Sequence, residues 1–428
     1  MTRTVKHMIS MVVGAVGLLS AVDEPRIGLY SVADDTTTMI SSCNFSYARF
    51  INKPGNYLIT EPISFSDYEP AIVIDCDNVT LDFGGNALIA PIGLEQTGDR
   101  QHVGVRIEKF RTGVSVLNGA VKNFQDNGID MSENANVTLQ NMTIVNSNYG
   151  LYVDTVTNLT AMSLSIINSH VNGVYATSMV SSTLSSVALS TIGNAFYTLD
   201  NYVGFNLNLT TQSTLNSCSV IGMQAQVSLY GFSLLNGANC ILNGCISSGN
   251  QAPLCVGFYA TGGNHNQFVS AEANRNSGTS DASSEVDGCY FDEGESYFQL
   301  LSSSFSHNSS PGGSVYGIKI GCATTNTFPF QGIVRGNELS LNNGAIKQYG
   351  IKDFANPTTN AFFTNKAFGH GRTFVSGSTM KDTGKMNYCM YIGSNPHNLL
   401  NNIVKESSYG DQTISVDDLA IKNSSFYL

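Results

Sequence analysis

Charge is what this sequence has least of: only 12% of its 428 residues are Asp, Glu, Lys or Arg. A helical protein covers its exposed faces with Glu, Lys and Arg, so the shortage argues against a helical surface. It favours a surface of Asn, Ser, Thr, Gly and Tyr, the composition of stacked β-structure. No basic run exists to displace counterions, and the net charge is −11, which excludes nucleic acid as a partner. No C-x-x-C spacing occurs among the nine cysteines, and no zinc, haem, nucleotide-loop or triad spacing is present, so no cofactor is expected. Nine is odd, so at least one thiol is unpaired or bonded to another chain; Cys218, Cys240, Cys245, Cys255, Cys289 and Cys322 read as small buried hydrophobes. No coiled-coil or trimer signal fixes an oligomeric state.

The longest apolar run is short. Arg3, Lys6 and His7 form a basic start, Met8 to Leu19 are apolar apart from Ser10 and two glycines, and Ser20 and Ala21 are small. That reads as a cleaved export signal over residues 1–21, too short to span a membrane, so a secreted or surface-exposed protein is expected.

What is abundant is a repeat. Hydrophobic residues make up 42% of the chain, enough for a continuous core. A glycine followed by apolar, polar, apolar recurs at Gly104, Gly128, Gly150, Gly173, Gly204, Gly231, Gly257, Gly288, Gly317 and Gly350. The two apolar positions are filled as expected in nineteen of twenty cases, Asp353 being the exception, so chance is excluded. Period-two alternation means short strands with one face inward. A second, looser strand comes next in each unit, as in NVTLQNMTIVN from Asn136 and NLTAMSLSIIN from Asn158. Glycine is expected to supply positive φ where the chain bends, and Asn beside the bends suits left-handed corners and stacked amides. Early spacings of 24, 22 and 23 residues match one turn of a parallel β-helix. The expectation is an all-β right-handed parallel β-helix, a solenoid of about 12 coils and on the order of 55 Å long, with capped ends. Residues 22–70 would form the N-terminal cap, 71–410 the β-helix and 411–428 the C-terminal cap or tail.

The stretch PGNYLITEPISF from Pro54, continuing into IVIDCDNVTLDFGGNALI, resembles the opening of pectin-lyase-like proteins. The coils beyond it look like the parallel β-helix repeats of that superfamily, which includes NosD-like and carbohydrate-active members. The resemblance spans about residues 54–405. It implies the fold and is silent on activity, since this fold carries lyases, hydrolases, epimerases, adhesins and viral spikes.

Function on a solenoid is read from outward positions. The residue between the two inward ones forms a column: Arg106, Asp130, Tyr152, Tyr175, Asn206, Ser233, Tyr259, Tyr290, Lys319 and Lys352. Its tyrosines can stack on sugar rings and hydrogen-bond them, which makes Tyr152, Tyr175, Tyr259 and Tyr290 candidate glycan-binding residues; exposed Tyr is equally a good strand former that packs on its neighbours. Extra residues before Gly288, Gly317 and Gly350 are expected to bulge from one corner beside Tyr259, Tyr290 and Lys319. For catalysis the candidates are Asp130 and Asp154, with backbones roughly 8 Å apart, and Asp292 with Lys319; an Arg106–Asp130 ion pair explains Asp130 more simply. Asp287, Asp292, Glu293 and Glu295 are the metal candidates, by analogy with calcium-holding pectate lyases, although no metal is expected. GHGR at Gly369 resembles a fragment of the polygalacturonase motifs without the rest of the set, and His265 reads as a corner residue. Two readings result: an exported or surface β-helix that binds a polysaccharide or cell-surface glycan or builds a spike, and a polysaccharide lyase or glycoside hydrolase on the same fold.

Overall fold

Alternating apolar residues in short runs, punctuated by Asn and Ser, make a chain that turns a corner every few residues and returns above itself. The computed structural model describes residues 28–31, 37–41, 49–66, 69–92, 102–191, 201–321, 331–354, 360–363, 365–370, 372–376 and 403–406. The expected export signal and C-terminal tail, and Cys322, lie outside them. The described residues stack into a parallel β-helix. One side is a thirteen-stranded sheet running from Arg49–Ile51 to Arg372–Ser376, every pair parallel. At about 4.8 Å per step it is roughly 58 Å long. The other two sides form a 25-stranded sheet, joined because Thr138–Val145 runs across their common corner and pairs with both Thr160–Met162 and Ser165–Ile167. At the N-terminal end Gly28–Ser31 pairs antiparallel with Thr37–Ser41, which itself pairs parallel with Gly55–Ile59.

One coil shows how the sequence dictates this path. Tyr149–Asp154 lies in the thirteen-stranded sheet, Val156–Thr157 makes a short side strand, and Thr160–Met162 and Ser165–Ile167 form the remaining sides before Asn172–Ala176 begins the next coil. The corners fall at Thr155, Asn158, Ser163 and Asn168, all with φ between 54° and 57°. Short polar side chains tolerate that left-handed conformation. Between corners, Leu151, Val153, Leu159, Ala161, Leu164 and Ile166 point inward and are almost fully buried. Each large apolar side chain so buried contributes about 1.5–3 kcal/mol. Further along, Phe205, Phe232 and Phe258 stack face to face at 4.7 and 4.9 Å along the axis.

The coil therefore has three main strands rather than two, because the looser segment bends once more at Ser163 and its equivalents. The glycines also do a different job from the one expected. None from Gly104 to Gly317 in the repeat has positive φ. They sit inside the strand, facing the opposite wall: a Cβ on Gly150 would lie 2.3 Å from Ile166 Cγ2 and 2.7 Å from the Gly173 carbonyl oxygen. Close approach of two walls, not a bend, demands glycine there. The corners belong to Asn, Ser and a few others, His265 among them with φ 54°.

Asparagine ladders tie the coils together. Asn168 donates to Asn146 and Asn146 to Asn123 at 3.1 and 2.8 Å. At another corner Asn250, Asn276, Asn308 and Asn342 are wholly buried, and each of the last three accepts the backbone N–H of the one before at 3.0–3.1 Å. The described cysteines, Cys76, Cys218, Cys240, Cys245, Cys255 and Cys289, are free thiols, five of them buried. No helix among the described residues is long and apolar enough to cross a membrane.

Candidate functional site on the outer face of the thirteen-stranded sheet

Strand register makes the predicted column real. Arg106 pairs with Asp130, Asp130 with Tyr152, Tyr152 with Tyr175, and so on through Asn206, Ser233, Tyr259, Tyr290 and Lys319 to Lys352. A second outward column, built from the residue just before each repeat glycine, runs beside it. It places Tyr149 beside Tyr152 and Tyr175 and Tyr230 beside Tyr259, while Tyr316 and Tyr349 share their strands with Lys319 and Lys352. The recurring Tyr-Gly dipeptide is the sequence signal for these four. It is easily overlooked, because the alternation that defines each strand lies on the other side of the glycine.

The tyrosines gather into two groups. In the first, the Tyr152 and Tyr175 rings stack at 5.2 Å and 22°, with Tyr149 edge-on to both at 5.6 Å. In the second, Tyr259 lies 5.3 Å from both Tyr230 and Tyr290. All six rings are half-buried, so part of each reaches solvent. Tyr316 and Tyr349 stack at 5.2 Å but are buried.

The carboxylates are dispersed. Arg106 Nε lies 3.4 Å from Asp130 Oδ2; burial still pushes the Asp130 carboxyl above its ordinary range, and Arg106 only partly offsets this. Asp154 is one strand on and accepts from the hydroxyls of Thr155 and Thr177. Asp292 Oδ2 accepts the Tyr259 hydroxyl at 3.0 Å. Burial, then the nearby Asp292 charge, raises the Tyr259 phenol. Glu295 turns into a corner, where it accepts from Asn266 Nδ2 and the Gly263 N–H at 2.9 and 3.0 Å, and burial pushes its carboxyl up to about 7. Asp287, in the second column, sits against Lys319. Asp287, Asp292 and Glu295 thus have separate partners, and no group of three His, Cys, Asp or Glu among the described residues could hold a metal ion.

Lys319 is the centre of a charged cluster that includes a residue the sequence did not single out, Glu285, 34 positions away. Its Nζ donates to Glu285 Oε1 at 2.5 Å and lies 3.7 Å from Asp287 Oδ2, over the Tyr290 ring at 4.1 Å and the Tyr316 ring at 5.3 Å. Burial disfavours the ammonium, but the charges of Asp287 and Glu285 outweigh it and hold Lys319 protonated above its ordinary range. Asp287 is fully buried, with no hydrogen bond to either oxygen. Burial first, and Glu285 in addition, push its carboxyl well above the usual range against the pull of Lys319. Lys319 thus faces two carboxyl groups, of which the fully buried Asp287 is held the harder to ionise.

The insertions do not all precede a repeat glycine. Residues 278–284 and 311–313 stack beside the starts of Glu285–Phe291 and Ser314–Ile320, with Gly312 N donating to the Thr279 carbonyl at 3.2 Å. In the coil after Gly317, Ile333 pairs with Gln299, so the extra length precedes Ile333 instead of Gly350. Gly371 of the GHGR string lies outside the described residues.

No family model and no curated protein matches the chain. Among solved structures, it is similar to the A-module of the mannuronan C-5 epimerase AlgE6 of Azotobacter vinelandii, at 12% identity and TM-score 0.44, over 81% of this chain and 90% of that one. It is also similar to the Dettilon tailspike protein, at 11% identity and TM-score 0.45, over 76% of this chain and 63% of the tailspike. The catalytic unit of a GH87 alpha-1,3-glucanase from Streptomyces thermodiastaticus is similar at 15% identity and TM-score 0.37, over 77% of this chain and 64% of that one. The fold assignment stands on the chain's own strand register.

Proposed function

We propose that this chain is an exported or surface β-helix that binds a glycan along the outer face of its thirteen-stranded sheet. One observation carries the reading: two groups of half-exposed tyrosine rings, aligned by strand register on a single face. Flat rings with hydroxyl edges present the apolar and hydrogen-bonding surface that sugar rings need. Glycan-array binding of the Tyr152→Ala/Tyr175→Ala and Tyr259→Ala/Tyr290→Ala double variants tests it. Each stack is worth about 0.5–1.5 kcal/mol, so each double variant should lose roughly one to two tenfold steps in affinity. Binding unchanged in both, or absent in the parent, removes the proposal. Export is tested separately: the mature protein should begin after Ala21.

A second reading, cleavage of the bound glycan, is favoured by Asp287, whose carboxyl burial pushes well above the usual range, beside Lys319, whose Nζ lies over the Tyr290 ring. A carboxylic acid kept protonated by burial is a candidate proton donor. Incubation with a polysaccharide panel should then release shorter products, and Asp287→Asn should abolish release while leaving array binding intact.

A further inference from the structure

We infer that the glycan is uncharged, and that it lies along the rod axis across both tyrosine groups at once. This rests on the glycan-binding reading and narrows it to a chemical class.

The charge pattern of the face carries the first half. Between the Arg106 and Lys319 ends, the first outward column holds only Tyr, Asn and Ser after Asp130. The column on one side is Tyr149, Asn172, Val203, Tyr230, Val256 and Asp287, and the column on the other runs from Asp154 through Thr177, Asn208, Leu235 and Thr261 to Asp292. From the strand Tyr149–Asp154 to the strand Glu285–Phe291 none of these positions is Lys or Arg. Both ends of the track carry a carboxylate held by neutral hydroxyls, Asp154 by Thr155 and Thr177, and Asp292 by Tyr259. A polyuronate or sulfated chain would find no cation along this length and would meet those carboxylates, a repulsive arrangement that selects against acidic partners. Lys319 is no remedy, because its side chain is 9% exposed and already bound to Glu285. A cationic chain, in turn, would find acids only at the ends, Asp154 at one and Asp292 with the buried Asp287 at the other, and none in the middle.

The spacing carries the second half. Five strand steps separate Tyr152 from Tyr290, about 24 Å at the usual interstrand distance. The gap between the groups is floored by Asn206 and Ser233, small polar residues in the same column. Asn206 is half-buried and Ser233 recessed beside it, and among the described residues neither side chain has a hydrogen-bond partner in the protein. The Asn206 amide is therefore available to hydroxyls of a chain bridging the two aromatic groups. Two weak platforms joined by one ligand act together, and affinity then depends on whether the ligand is long enough to reach both.

The test is an array of neutral, acidic and amino-bearing glycans in graded lengths, read at low and high salt with the full-length protein. The expected hits are neutral, change little with salt, and tighten at least roughly tenfold once the oligosaccharide is long enough to span both groups. Tyr175→Ala and Tyr259→Ala, one from each group, should each reduce a long ligand to the affinity of a short one. Asn206→Lys, an outward substitution that leaves the core untouched, should admit acidic oligosaccharides that the parent rejects. Hits that are acidic or amino-bearing and weaken in salt, or neutral hits whose affinity ignores length, overturn this inference while leaving glycan binding standing. An array with no hits removes the underlying proposal instead.

Discussion

Glu295 is wholly buried in a corner with two hydrogen-bond donors for company, and its carboxyl is raised from 4.5 to about 7. Between those values the folded state holds a proton that the unfolded state releases. The stability linked to this group is therefore greatest below about pH 4.5 and falls as pH rises through about 7, by at most about 3 kcal/mol. Denaturant titrations of the parent and Glu295→Gln between pH 4.5 and 8 should differ in slope over that window, the variant being flatter. Gly150 sets a second test. A methyl there meets Ile166 and the Gly173 carbonyl at distances no Cβ tolerates, so Gly150→Ala should cost about 1–3 kcal/mol or more, read as a lowered melting temperature. Gly222 has φ +69° and open space around it. Gly222→Ala should cost only the conformational strain, about 1–2 kcal/mol.

Single strands of three residues cannot hold together alone; the ladders between them do the work. Asn276 accepts the Asn250 N–H and donates to the Ser247 carbonyl at 3.1 Å, in complete burial. Asn276→Ala strands both backbone groups and should cost about 1–3 kcal/mol for each left unsatisfied; equilibrium unfolding would measure it. At this scale the sequence was most readable. Alternation after each glycine placed Leu151, Val174 and Phe205 in one inward column, and their backbone pairing agrees. Asn beside the bends predicted amide ladders for the same local reason. The glycine's purpose was hidden because its obstacle, Ile166, lies sixteen residues on and across the coil. Glu285 was hidden likewise: its partner Lys319 is one full coil away, and only the register brings them together.

As a whole the molecule is held by backbone pairing and an unbroken apolar interior. Three of the four acids that sequence alone groups as metal candidates are turned to different partners: Asp287 to Lys319, Asp292 to Tyr259, Glu295 to Asn266. Chelation should leave the melting temperature within about 1 °C of its value in calcium, whereas a bound ion would raise it by mass action. Scanning calorimetry with and without chelator decides between them. The two tyrosine groups are separated by a single coil, that of Asn201–Asn208, which pairs only with its immediate neighbours. Loss or gain of a coil there would leave both groups intact and merely change their separation by one interstrand step. The rod is in that respect a ruler with movable marks: the distance between its tyrosine groups can change in whole interstrand steps by duplication or deletion of a coil, with every tyrosine left in place.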